Sequence, residues 1–121
     1  MKKILFVEDE SALQQTFGDF LRQEGYKVVK ALDGEAGVKL AKSEKPDLIL
    51  LDLILPKLNG FEVLEKLKKD PEVKDIPVII LTHLEETKDI QRAIEAGARS
   101  YLVKSSYSLS DLLEKVKQVF G

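Results

Sequence analysis

At 121 residues, 44% of them hydrophobic, the chain has the size and apolar content for one core, and it is read as a single domain over residues 1–121. Its 19 basic and 21 acidic residues are interspersed and leave a net charge of −2, which removes the electrostatic footprint of direct nucleic-acid binding. There is no cysteine, which excludes disulfides, thiolate metal sites and thiol catalysis, and no apolar run approaches the roughly 18 residues of a membrane span.

Met1-Lys2-Lys3 followed by Ile4–Val7 has the start of a signal peptide, but Glu8-Asp9-Glu10 ends the apolar run too early. A soluble cytoplasmic protein with no membrane contact is expected. The first strand is read at 2–7. A helix over 11–24 follows at once, with Ser11 and Gln14 at the spacing of a capping box and Leu13, Phe17, Phe20 and Leu21 forming one apolar stripe. Gly25 closes it. The second strand, 26–31, carries two lysines and reads as an edge; a helix over 34–44 follows. The runs within 47–52 and 77–82 are continuously apolar, as expected of strands covered on both faces, with a helix over 60–70 between them. A helix over 86–96, a strand over 99–103 and a helix over 108–120 complete the chain. Pro46, Pro71 and Pro77 fall at junctions and Pro56 in a loop, so none interrupts an element. Strands alternating with helices predict an α/β domain with a doubly wound parallel sheet.

In such a sheet the carboxyl ends of the strands share one edge, where ligands bind. Glu8-Asp9, Asp52, Thr82 and Lys104 each follow or end an apolar run, so they should converge there. A lone Asp at a strand end is most often a turn or cap residue. Three carboxylates together repel one another and need a proton or a cation. Oxygen-only ligands without His or Cys suit Mg²⁺. Asp is a nucleophile in phosphoryl chemistry, forming an acyl phosphate, and Lys104 and Thr82 are placed to hold phosphoryl oxygens.

The acidic pair Glu8-Asp9, Asp52-x-x-x-Pro56-x-x-x-Gly60, Thr82, Tyr101 and Lys104 together resemble the receiver domains of two-component response regulators, over the whole chain. The resemblance implies a three-layer (βα)₅ fold of flavodoxin-like topology, strand order 2-1-3-4-5. It implies that Asp52 accepts a phosphoryl group from a histidine kinase, a phosphotransfer protein or a small acyl phosphate. Asp9, Asp52 and the backbone carbonyl of Ile54 would bind Mg²⁺, with Glu8 acting through water. Thr82 and Lys104 would bind the phosphoryl oxygens, and Tyr101 would change rotamer with Thr82, remodelling the face of the fourth helix, fifth strand and fifth helix for a downstream partner. Such a protein is a signalling switch rather than an enzyme, monomeric or dimerising on phosphorylation.

Three departures bear on the chemistry. His83, the sole histidine, stands where the family usually has a small residue and is expected to narrow access to the site. Ser105 stands where the family commonly has a proline whose cis bond helps aim the lysine; before serine that bond costs about 3–4 kcal/mol, which leaves the aim of Lys104 open. Ile54 and Leu84, two residues after Asp52 and Thr82, cannot hydrogen-bond an attacking water, which predicts a long-lived phospho-aspartate. A flavin-binding flavodoxin is disfavoured because Glu8-Asp9-Glu10 would repel a bare phosphate. A haloacid dehalogenase-like phosphatase is disfavoured because Ile54 replaces its second Asp. The remaining rival is a constitutive interaction module on the same scaffold.

Overall fold

Along the three central strands successive side chains enter two different cores. The computed structural model describes residues 1–83, 87–105 and 108–121. Its elements are β1 (Lys3–Val7), α1 (Ser11–Gln23), β2 (Lys27–Ala31), α2 (Gly34–Glu44), β3 (Leu48–Leu51), α3 (Gly60–Lys69), β4 (Val78–Thr82), α4 (Thr87–Glu95), β5 (Ser100–Val103) and α5 (Leu109–Phe120). Ile4 and Phe6 of β1, Leu48 and Leu50 of β3, and Ile79 and Leu81 of β4 pack with Leu21 of α1 and Leu112 and Val116 of α5. Leu5, Val7, Ile49, Leu51, Val78 and Ile80 pack instead with Ala41, Val63, Leu64, Leu67 and Ala93 of α2, α3 and α4. The period of two puts alternate residues on opposite faces, and helices on both faces explain the unbroken apolar runs Ile4–Val7, Leu48–Leu51 and Val78–Leu81. Each such fully buried side chain contributes about 1.5–3 kcal/mol.

All pairings are parallel and the order is β2-β1-β3-β4-β5, as expected, with the lysine-bearing β2 at one edge. No helix among the described residues is long and apolar enough to cross a membrane. The predicted element bounds hold to within about a residue at each described end; residue 86, the predicted start of the fourth helix, lies outside the described residues, as does Leu84.

One local expectation fails. Ser11 is exposed and caps nothing; the N-cap of α1 is Glu10, without a side-chain cap bond. Gln14 is buried, and its Nε2 donates to the carbonyls of Phe6 (2.8 Å), Ala31 (3.0 Å) and Glu8 (3.1 Å). The amide ties the end of β1 to that of β2, where the Ala31 carbonyl also accepts Glu8 N–H at 3.0 Å, and a buried amide has more need of partners than an orphan N–H at an exposed helix start. Side-chain caps do form elsewhere: Asp33 accepts from Ala36 N–H, and Asn59 with Glu62 and Ser108 with Asp111 make capping boxes on α3 and α5.

Candidate phosphoryl and metal site

Register brings the site together. Val7 pairs with Leu51, so the residues that follow them, Glu8 and Asp52, emerge side by side, and Asp52 N–H donates to the Val7 carbonyl at 3.1 Å. Leu51 pairs with Ile80, and Thr82 with Val103, whose successor Lys104 donates its N–H to the Thr82 carbonyl at 2.7 Å. Four β–loop junctions thus end at one edge, and a one-residue slip in any pairing would turn a site residue into the opposite layer.

Glu8 and Asp52 are buried, as is Thr82, while Asp9 is exposed. Glu8, Asp9 and Asp52 each offer a carboxylate oxygen within 4.8 Å of the others. The Lys104 ammonium, with only 3% of its side chain exposed, donates to Glu8 Oε1 and, at 3.1 Å, to Asp52 Oδ2. The lysine is therefore aimed into the site with Ser105 as its neighbour, which answers the question the sequence left open. Asp52 Oδ1 accepts from Ile54 N–H at 3.3 Å, and Glu8 Oε2 from Glu10 N–H at 3.1 Å.

The charges do not balance. Among the described residues, three carboxylates meet one ammonium, leaving two negative charges in a partly buried cleft. Burial pushes the Glu8 carboxyl above its ordinary 4.5; the Lys104 hydrogen bond pulls it down and the Asp52 charge pushes it up again. Burial also opposes the charge on Lys104, but the Glu8 hydrogen bond and the charges of Asp52 and Glu8 outweigh it and raise the ammonium above 10.5. The lysine is thus held charged, and the surplus is carboxylate. A hard divalent cation with oxygen ligands matches both the donor set and the deficit.

Tyr101 of β5 pairs with Ile80, two positions before Val103, so Thr82 and Tyr101 lie on the same face of the sheet as diagonal neighbours; the Tyr101 ring is partly exposed. His83 is exposed, and its Nε2 lies 3.5 Å from Glu10 Oε1, bridging the loops after β4 and β1 at the mouth of the site. Ile54 is exposed. The sequence assigns Gln14 only a capping-box role and Glu10 only a place in the acidic run, neither of them a contact at the site. The one signal for Gln14 is a polar residue on the buried side of α1, in line with Gly18 and Leu21, where an apolar residue would be ordinary.

The family model described as the response regulator receiver domain matches residues 4–117. Protein PilH of Pseudomonas aeruginosa is 41% identical over 104 residues, covering 86% of this chain and 86% of PilH. The DNA-binding dual master transcriptional regulator RpaA of Synechocystis is 38% identical over 117 residues, 97% of this chain but 48% of RpaA. The chain thus spans most of PilH and about half of RpaA. The receiver domain of the sensor histidine kinase PA1611 from Pseudomonas aeruginosa, solved with a magnesium ion coordinated in its active-site cleft, aligns with a TM-score of 0.90 at 28% identity, covering 99% of this chain and 98% of that one.

Proposed function

Since the chain belongs to the response regulator receiver domain family, whose members are signalling switches that partner with histidine kinases, we propose that Asp52 accepts a phosphoryl group in a Mg²⁺-dependent reaction and that this charge switches a protein surface. The observation that carries the reading is the acidic cluster: Glu8, Asp9 and Asp52 around the one ammonium, that of Lys104, found there among the described residues.

The donor set fits Mg²⁺, which Asp9, Asp52 and the Ile54 carbonyl would hold, with Glu8 acting through water. Bound there, the metal supplies charge that offsets repulsion between the carboxylate and an anionic donor. The remaining work belongs to side chains. An Asp52 carboxylate oxygen forms the new P–O bond as the bond from phosphorus to the donor's nitrogen or acyl oxygen breaks, and the leaving group departs with that electron pair. Lys104, already on Asp52 Oδ2, is placed to follow the charge onto a phosphoryl oxygen. Thr82 offers a hydroxyl from the adjacent strand end, and its movement toward phosphate would vacate space on the face it shares with Tyr101. The ring filling that space would remodel the α4–β5–α5 surface for an effector, a two-state device biased by the new charge.

The test is intact-mass analysis after incubation with a small acyl phosphate or a phosphorylated histidine kinase, with and without Mg²⁺. One phosphoryl addition that requires Mg²⁺ is expected. No adduct from either donor would leave the chain as a constitutive interaction module. A second expectation concerns lifetime. The Ile54 side chain is exposed beside Asp52 and has no group to orient water, so Ile54→Asn should speed loss of the phosphoryl group by about tenfold. Equal half-lives for parent and variant in a mass time course would count against that account.

A further inference from the structure

We infer that Gly34, in the first turn of α2, is a positioning residue for the Mg²⁺ site, because it seats the loop that carries the Ile54 carbonyl. This rests on the reading of Asp52, Asp9 and Ile54 as the metal's ligands.

In the loop 53–59, Ile54 N–H donates to Asp52 Oδ1 at 3.3 Å and Leu55 packs, half-buried, against the core. Ile54 points its side chain to solvent, 55% exposed, so its carbonyl is set by what holds the loop on either side. On one side Leu53 is buried in the core, and its carbonyl accepts Gly60 N–H at 2.9 Å. On the other side the loop rests on α2. A Cβ at Gly34 would lie 2.0 Å from the Leu58 carbonyl oxygen, 2.6 Å from Leu58 Cβ and 2.7 Å from the Leu58 carbonyl carbon. Two of these three atoms are backbone, so no side-chain rotation makes room, and any larger residue must push loop and helix apart.

Independent contacts hold the same two segments together. Gly34 N–H donates to the Pro56 carbonyl at 3.2 Å. Lys57, in the left-handed region at φ 70°, brings its ammonium to 3.8 Å from Asp33 Oδ2 and 4.0 Å from Glu35 Oε2. Asp33 is itself fixed as the N-cap of α2, accepting from Ala36 N–H at 2.8 Å. Helix start and loop therefore form one unit, and displacing it moves the Ile54 carbonyl relative to Asp52. Mg²⁺ demands near-ideal octahedral geometry, so a small displacement of one ligand is felt as affinity.

The experiment is a calorimetric Mg²⁺ titration of the whole chain and its variants, with denaturant unfolding of each in parallel. Gly34→Ala is expected to raise the Mg²⁺ Kd about tenfold, and Leu58→Ala, which trims the same seat without a clash, by about threefold. Phosphoryl uptake by both should recover as Mg²⁺ is raised. Val73→Ala, in the buried turn before β4 at the opposite end of the sheet, should lower stability and leave Kd unchanged, which separates positioning from general loosening. A parent that binds Mg²⁺ alongside an unchanged Kd in Gly34→Ala overturns the inference alone. If Gly34→Ala does not fold, an unchanged Kd in Leu58→Ala overturns it. A parent that binds no Mg²⁺ overturns the proposed metal site along with it.

Discussion

Asp52→Asn should take up no phosphoryl group at any Mg²⁺ concentration and yet, in Mg²⁺-free buffer, unfold about 1 kcal/mol less readily than the parent. The first half follows from chemistry, since an amide has no carboxylate oxygen to attack phosphorus. The second follows from the charges. At an effective dielectric of roughly 20, attraction between Asp52 and Lys104 at 3.1 Å is about 5 kcal/mol, and repulsion from each carboxylate within 4.8 Å is about 3–4 kcal/mol. Glu8 and Asp9 together, at about 6–8 kcal/mol, therefore outweigh the lysine. Desolvation of the Asp52 charge, which the amide escapes, adds in the same direction. Saturating Mg²⁺ should invert the order, because at 100 times Kd a ligand adds about 2.7 kcal/mol to a parent that binds it, and less to a variant lacking one ligand. Denaturant unfolding with and without Mg²⁺, beside intact mass, measures both halves. A variant less stable than the parent in both buffers would mean that the lysine outweighs the repulsion, and the argument from surplus charge would fall.

How much of this is legible in the chain depends on the range of the interaction. Strands β1, β3 and β4 announce themselves because apolar side chains on both faces leave a continuous run, and α2 is placed by the gap between two strands. The convergence of Glu8, Asp52, Thr82 and Lys104 follows from one rule of parallel sheets, and the structure realises it. What escaped are partnerships with no fixed spacing. Ser11 and Gln14 have the interval of a capping box, but the amide is drawn to three carbonyls of two strands. His83 and Glu10 meet only because the loops after β4 and β1 open on the same edge. Gly34 reads as an ordinary helix start, and its contact with Leu58 exists only once α2 and the loop after β3 are packed. In each case the sequence carries the residue type, and the fold supplies its partner.

Lys104→Met should be the most destabilising change at the site, by about 3–5 kcal/mol without Mg²⁺, because it leaves Glu8 and Asp52 buried with no ammonium. Protonation is the remaining escape, and it sets the pH dependence. The folded-state pKa of Glu8 is raised above 4.5, chiefly by burial. A group raised in this way contributes stability that is fully present below its unfolded pKa and is lost as pH rises through its folded one. The Mg²⁺-free parent should therefore weaken as pH climbs above about 4.5, with Lys104→Met weakening more steeply and Glu8→Gln flattening the profile. Lys104 adds no slope there, since its own contribution is lost only as pH rises from 10.5 through its raised folded pKa. Asp70 acts in the opposite sense, because the Glu72 N–H and Lys42 lower its pKa from 3.8; its contribution is lost only as pH falls below that window. Unfolding free energies measured across about pH 5–8 with and without Mg²⁺ decide the matter. Saturating metal should remove the downward slope, because the cation then supplies the charge that the proton supplied at low pH. A Mg²⁺-free Lys104→Met profile as flat as that of Glu8→Gln would show that Glu8 does not carry the strain of the site.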